Sequence, residues 1–546
     1  MTSSKLYLRL LPVALFCLAV VTANAQSFQV QCPTSTITHP TAANNNSEPA
    51  YTGPTTYAIG PGGFLLPTGK VNGAIKCQQI SGGDGFATMG DGTQTYLFAF
   101  GPLSGLYDMA NGLPGTQFPN VFNQVFSGNL QPGDPATTAG ASDSPSYNQG
   151  AYSNSSLFNY NGAVGLAPDV DNGGAIDGHV DVRPIMDVGV LNGNMPAPLM
   201  AIDEDDEFFL TLTNVGQVMR PDLFEQHTVH FHGYPNASAF YDGVPDASVA
   251  INIGGSFTYY YLAPEAGTYF WHCHITPPEH LQMGMVGQIY VRPRQNRWTG
   301  DLYAGLQQQQ LDPRTKCDSS DILCSNPLPA VNTGATGGRK YAYNDGDGTT
   351  AYDVEYPLQI HGFDPNFHFV GMTFNPEGFA DMKDKYFLLN GRSYPDTVTP
   401  GPLATQTTDG VMHYSQPMPA IINIPAGGRA LLRIASLDVT EYQTLASLGI
   451  PMKVIGLNAK LLRDQAGNNL YYTTNSITLG GGESLDVILD ASDAVKYPAG
   501  STFYLYSPQL HHLSNDAENF GGMMTEIRIC TTVDPITKVG TGCPSI

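Results

Sequence analysis

The chain has 546 residues, with 24 Lys and Arg against 47 Asp and Glu, so its formal net charge is -23. At roughly 100 to 200 residues per domain this length holds several domains with cores of their own, which excludes a peptide hormone or a disulfide-stapled miniprotein, and the negative charge argues against a nucleic acid partner. Sixty Gly, 41 Pro, 29 Tyr and 25 Phe beside only 13% charged residues predict many short strands joined by turns, a mostly β protein.

Residues 1–25 read as a secretory signal. Lys5 and Arg9 flank the start of an apolar run over residues 10–21, which ends at Ala23, Asn24 and Ala25, a small-x-small cleavage pattern. The run is shorter than the roughly 20 residues a membrane helix needs, so the expected product has no membrane span and is secreted or periplasmic. Cysteine usage points the same way. Without Cys17, seven cysteines remain: Cys32, Cys77, Cys273, Cys317, Cys324, Cys530 and Cys543. An odd count in an oxidising compartment implies one thiol with another task, and Cys273 is the candidate because it alone lies between two histidines. Proximity suggests Cys32 to Cys77, Cys317 to Cys324 and Cys530 to Cys543, although six cysteines allow about 15 pairings.

Residues 26–178 are rich in Gly, Asn, Ser, Pro and Tyr with strand-like islands such as 95–100 (TYLFAF), and they predict an irregular N-terminal extension packed on the rest of the chain. Two later segments share landmarks in the same order. The first has Leu191-Asn192-Gly193 and Pro196, a strand at 207–213, then Gly267-Thr268-Tyr269-Phe270-Trp271 and Met283-Gly284-Met285. The second has Leu389-Asn390-Gly391 and Pro395, a strand at 430–435, then Gly500-Ser501-Thr502-Phe503-Tyr504 and Gly521-Gly522-Met523-Met524. A repeat of this size built from short strands suits two β-sandwich domains. The expected boundaries are 179–293 and 353–546, with a linker over 294–352.

The chemistry lies in the first copy, in His227, His230, His232 and Gly233, then His272-Cys273-His274, then His280 and Met285. Strand side chains alternate faces, so His230 and His232 share one face and His227 takes the other, just as Cys273 points away from His272 and His274. His227, Cys273, His280 and Met285 form the ligand list of a blue copper site, two imidazoles, a thiolate and a thioether. Zinc fits less well, since thioether is not among its usual ligands. His230, His232, His272 and His274 are all imidazole, which suits Cu(II), Zn or Ni. Because Cys273 is bonded to both flanking histidines, an electron taken at one metal has a short covalent route to the other. His39, His179 and His413 lie outside these clusters and read as ordinary core or surface histidines.

His227 to Gly233, Asp242-Gly243-Val244-Pro245, Ser256-Phe257-Thr258-Tyr259, Gly267-Thr268-Tyr269 and His272-Cys273-His274 with His280 and Met285 together resemble the multicopper oxidases and their cupredoxin domains. The resemblance is strong over residues 188–293, moderate over 386–530, and absent from 26–178. It implies two Greek-key cupredoxin-like β-sandwiches and copper as the cofactor. It also implies a type 1 copper on His227, Cys273 and His280 with Met285 axial, and a share in a trinuclear cluster for His230, His232, His272 and His274. The partners it implies are a small organic or metal-ion electron donor and oxygen as acceptor.

Two departures stand out. Five residues, 275–279, separate His-Cys-His from the next histidine where the family usually has three. In the second copy, aligning Gly449 with Gly233 puts Gln443, Ala446 and Leu448 at His227, His230 and His232, and aligning Thr502 with Thr268 puts Tyr506, Ser507 and Pro508 at His272, Cys273 and His274. The partner histidine pairs are therefore missing. His511 and His512 are the nearby candidates to complete the second site, and if they come from another chain the protein is a homo-oligomer. The expected function is a copper-dependent oxidoreductase; the alternative is a type 1 copper electron-transfer or copper-binding protein without oxidase activity.

Overall fold

The computed structural model describes residues 35–40, 50–104, 168–170, 176–180, 189–233, 238–263, 265–311, 324, 326–371, 378–407 and 410–544. Residues 1–25, the expected signal segment, lie outside the described residues. Among the described residues no helix is long and apolar enough to cross a membrane.

The first sandwich is made of β1 (Ile75–Thr88), β2 (Gln94–Pro102), β3 (Met200–Asp203), β4 (Glu207–Gly216), β5 (His230–Phe231), β6 (Ser256–Leu262), β7 (Gly267–His272) and β8 (Val286–Arg292), with one helical turn, α1 (Pro277–Gln282), between the last two. The strands form two sheets, ordered β6-β4-β1-β2 and β3-β8-β7-β5. Alternation explains how β4 and β6 pack. Phe208, Leu210 and Leu212 face the core with Phe257, Tyr259 and Tyr261, while on the opposite face Thr211 meets Thr258 at 2.8 Å and Thr213 meets Ser256 at 2.7 Å.

The expected boundary at 179 is too late. The stretch assigned to an extension supplies β1, which runs parallel to β4 from Ile75↔Glu207 onward, and β2, which closes the sheet edge. Its strand character is hidden in the sequence because β1 is buried along nearly all its length, with Gln78, Gln79, Ser81 and Asp84 among its buried residues and no apolar alternation to read.

The second sandwich repeats the plan with β9 (Val354–Phe363), β10 (Tyr386–Leu389), β11 (Ile422–Pro425), β12 (Arg429–Ser436), β13 (Gln443–Leu448), β14 (Glu483–Asp490), β15 (Thr502–Tyr506) and β16 (Met524–Cys530). Its sheets contain the orders β14-β12-β9-β10 and β11-β16-β15-β13, matching the first sandwich strand for strand. The same two pairs are parallel in each copy, β1 with β4 and β3 with β8, then β9 with β12 and β11 with β16.

The segment between the sandwiches is folded rather than slack. Arg294 forms a buried pair with Asp205 at 2.7 Å, Asn344 donates to Glu204 at 2.7 Å, and α2 (Leu302–Gln309) is capped by Asp301 accepting from the Ala304 amide at 2.8 Å. The second sheet of the first sandwich lies on the first sheet of the second. Across that contact Thr268 donates to Asp486 at 2.6 Å, Gln288 donates to the Arg433 carbonyl at 2.8 Å, and Glu355, which binds Arg433 of its own sandwich at 3.1 Å, binds Arg292 at 2.6 Å. Cys530 and Cys543 are joined, and Cys77 and Cys324 are also disulfide-bonded to partners outside the described residues. Among the described residues Cys273 is the free cysteine, and it is buried.

Candidate metal centre

β5 and β7 pair so that His230 stands opposite His272 and Phe231 opposite Trp271. The register aligns the two histidine motifs, and alternation sorts their side chains. His227, three residues before β5, is fixed by reciprocal backbone hydrogen bonds with Ile251 at 3.1 and 3.0 Å. Gly233 ends the motif at φ 81°, where a Cβ would meet the Tyr269 ring at 3.0 Å, so only glycine lets the chain turn against that aromatic.

One set of side chains points inward. His227, Cys273 and His280 are buried with their ligand atoms all within 4.8 Å of one another. Cys273 Sγ is 3.2 Å from His280 Nδ1 and 4.0 Å from His227 Nδ1, and it accepts the Thr228 amide at 3.4 Å. The five-residue spacing before His280 is absorbed by α1, which starts after Thr276 at φ 37° and brings His280 onto the sulfur. Met285 is fully buried; its amide donates to the His280 carbonyl at 2.9 Å and its carbonyl accepts from the Cys273 amide at 3.1 Å. Burial opposes charge at Cys273, but the His280 and His227 imidazoles outweigh it and hold the thiol well below its ordinary range. Burial likewise opposes charge on His280, which the Cys273 thiolate and Glu225 overcome, raising it to about 10. A buried cysteine sulfur facing two imidazole nitrogens, with the buried Met285 tied to His280 and Cys273 through its backbone, is a donor set that fits copper.

Two further walls of this site come from the N-terminal strands. Phe98 on β2 packs edge-on against His280 with centroids 5.3 Å apart. Gly82 on β1 lies against His227, where an added Cβ would be 2.8 Å from Cδ2 of the ring. No sequence motif marks either residue.

The other set points outward. His230, His232 and His272 have ligand atoms within 4.8 Å of one another, with His232 Nε2 2.9 Å from His272 Nε2. His274 stands at the edge, its ring 5.0 Å from His230, and its amide donates to Thr228 at 2.9 Å. His230 Nδ1 donates to the Asp242 carbonyl at 2.6 Å and His272 Nδ1 to the Cys273 carbonyl at 2.7 Å, which assigns the protons and leaves both Nε2 atoms as lone pairs. Burial, with neighbouring imidazoles adding to it, lowers His232 to about 4 and His272 to about 3. These rings are neutral at pH 7 and available to a metal. His232 and His272 open onto a cleft of about 700 Å3 whose far wall is the second sandwich, through Asp438, Thr440, Glu441 and Glu483.

In the second sandwich Ala446 pairs with Tyr506 as His230 pairs with His272, so the missing imidazoles are missing in space as well. Gly449 at φ 97° lies on Phe503 as Gly233 lies on Tyr269. The equivalent of the inward site survives with changed residues. Ser507 Oγ is 3.3 Å from His512 Nδ1, the Ser507 amide donates to the Met523 carbonyl at 2.9 Å, and the Met523 amide donates to the His512 carbonyl at 2.8 Å. Ser507, His512 and Met523 thus stand where Cys273, His280 and Met285 stand, and Gln443 stands at His227. The sequence conceals this because serine replaces the cysteine and the loop lengths differ. His512 is buried there, inside its own sandwich, and His511 beside it is exposed.

Further histidines lie apart from these clusters: His361 and His368 are buried, and His368 Nδ1 donates to the Tyr96 carbonyl with its Nε2 2.9 Å from the Gln282 carbonyl. His39 bridges Glu207 at 2.8 Å and the Asn72 carbonyl at 2.9 Å, and His413 faces Asn192 at 2.9 Å. The side chain of His179 lies outside the described residues.

Residues 178–296 match the family model described as multicopper oxidase. A laccase of Aspergillus fumigatus, abr2, is 34% identical over 109 residues, 20% of this chain and 17% of its own length. A copper-containing nitrite reductase of Rhizobium meliloti is 34% identical over 114 residues, 20% of this chain and 27% of its own. The solved multicopper oxidase mgLAC aligns over 86% of this chain and 94% of its own at 15% identity, with a TM-score of 0.46. The sequence matches to these curated relatives thus span well under half of their lengths. Residues 178–296 are similar to the multicopper oxidases and their cupredoxin domains, and copper is the metal that this likeness and this ligand set call for.

Proposed function

We propose that the protein is a secreted or periplasmic copper oxidoreductase that takes electrons from a small organic or metal-ion donor at the buried His227, Cys273, His280 and Met285 site and delivers them to the outward histidine site. The observation that carries this reading is the continuity of the two sites through residues 272–274. The Cys273 sulfur belongs to one set, and the next ring along the chain, His272, belongs to the other. Copper held by these residues would supply one-electron redox chemistry.

The chain's own groups do the rest. The Cys273 carbonyl accepts from His272 Nδ1 at 2.7 Å, which adds a hydrogen-bonded link to the covalent one. Phe98 covers the His280 ring, and Glu225, 3.5 Å from His280 Nε2 and partly exposed, connects that ring to solvent. The acceptor end is the cleft, where His232 and His272 face the carboxylates of the second sandwich. With oxygen as acceptor, four electrons and four protons convert one molecule to two waters.

A second reading has a specific observation behind it. Ala446, Leu448 and Tyr506 occupy the places of an imidazole set in the second sandwich, which favours an electron carrier, or a mononuclear second site resembling that of a nitrite reductase, over a complete oxygen-reducing cluster. Oxygen uptake by copper-loaded protein given a phenol or ferrous iron separates them. Uptake that disappears in His232→Ala while the blue colour stays supports the oxidase. Bleaching of the blue colour by the donor without uptake leaves the carrier.

A further inference from the structure

The second sandwich has lost the thiolate of the inward site, yet it retains a set of metal-binding atoms on the other side of the same histidine. We propose that Glu441, His511 and His512 form a separate site for a divalent transition ion of the zinc type, held by two imidazoles and a carboxylate.

Their ligand atoms lie within 4.8 Å of one another. His512 Nε2 is 3.3 Å from the Glu441 carboxylate but is not aligned with it, and it is a buried nitrogen without a hydrogen-bond partner on a side chain with 0% exposure. Such a nitrogen costs free energy unless something binds it. The ring is held in place from behind. Nδ1 faces Ser507 Oγ at 3.3 Å, and Phe387 stacks on the ring at 3.8 Å with the planes 13° apart. An imidazole ligand is ordinarily oriented in this way, by a hydrogen bond from the nitrogen that does not bind the metal. His511 lies 4.2 Å away, ring to ring, at 80°, and is exposed. Glu441 is partly exposed, so positions remain for water or a ligand.

Comparison with the first sandwich shows what changed. There His280 presents Nδ1 to sulfur, while its Nε2 approaches Glu225 at 3.5 Å, and the residue before it is Glu279. In the second sandwich the hydroxyl of Ser507 replaces sulfur and His511 replaces that glutamate. A soft, closed donor set has given way to a borderline, open one. Two imidazoles and one carboxylate with open positions suit Zn2+ and other divalent ions of its kind, whereas Cu(I) prefers the sulfur that is gone. Glu441 also lines the cleft shared by His232 and His272, so an ion held here stands on its opposite wall.

The test is zinc content after equilibration of the copper-loaded full chain with Zn2+ and removal of excess metal. His511→Ala and Glu441→Gln are suitable variants because both side chains reach solvent and neither supports the core. Each is expected to hold one zinc fewer per chain than wild type, with the blue absorbance of the Cys273 site unchanged. Equal zinc content in wild type and both variants overturns the proposal. Because the blue band is read in the same sample, failure here is distinguishable from failure of the Cys273 assignment.

Discussion

Replacing Gly82 by alanine tests whether β1 is part of the copper site. The added Cβ would lie 2.8 Å from Cδ2 and 3.3 Å from Cγ of His227, and 3.4 Å from Leu212 Cδ1. Carbon pairs settle at about 3.5 to 4.0 Å, so the closest contact is too short by about 0.7 Å or more. His227 has little room to retreat. Its backbone is bridged to Ile251 on both sides, and its ring meets His280 at 5.4 Å. Overpacking of this kind costs roughly 1 to 3 kcal/mol. The strain has two outlets. If the fold holds it, copper-free protein loses that much stability in denaturant; if the ring moves away from Cys273, copper affinity falls by about five- to 150-fold. Denaturant unfolding of the copper-free form and competitive copper titration measure the two, and their sum is expected to reach at least about 1 kcal/mol. Wild-type values in both assays would refute the placement of Gly82 against the ligand.

Glu355→Gln leaves Arg292 and Arg433 without their shared carboxylate across the domain contact, and a loss of about 3 to 5 kcal/mol is expected in denaturant unfolding. Burial opposes the charge of Glu355, but the two arginines outweigh it and hold its pKa far below the usual range. Its contribution is therefore complete above the unfolded value of about 4.3 and is lost as pH falls below it, so wild type should lose more stability than Glu355→Gln on acidification; parallel pH profiles would contradict this. Converting Ser507 to Cys together with Gln443 to His should rebuild the inward site of the second sandwich, giving a second copper per chain and about twice the blue absorbance. A single copper with unchanged colour would show that the two sites match in topology alone. Thiol titration of unfolded, metal-free, unreduced protein should find one thiol, Cys273, and finding three or more would contradict the disulfide assignment.

Much of the inward site is legible in the sequence because period-two alternation acts on named residues. Spacing alone places His227 and Cys273 opposite the other histidines, and the landmarks Leu191-Asn192-Gly193 and Leu389-Asn390-Gly391 mark the repeat. The rest is illegible for physical reasons. β1 is buried on both faces and carries polar residues and glycines, so it lacks the amphipathic pattern that reveals a strand. Its equivalence to β9 shows only in the parallel pairing with β4 and β12. Phe98 and Gly82 touch the ligands through contacts that span more than a hundred residues of chain, and no local signal encodes such contacts. The relic of Ser507, His512 and Met523 is hidden because the cysteine that flags such a site is gone, and only hydrogen bonds shared with Cys273, His280 and Met285 identify it. The cleft between the sandwiches is formed by loops near residues 438–442 and 480–483, whose meeting with His232 and His272 depends on how the two sandwiches pack.

The central claim is that one buried thiolate and two imidazoles hold copper. The visible absorption spectrum of copper-loaded protein, recorded beside that of Cys273→Ser, tests it most directly. A Cys thiolate bound to Cu(II) in a site of this kind gives an intense blue band, so wild type should be strongly blue and the variant colourless. The variant should still be folded, since the Cys530–Cys543 bridge is untouched and serine differs from Cys273 by one atom in the core of the first sandwich. A colourless wild type with copper bound, or a blue band that survives Cys273→Ser, would contradict the assignment.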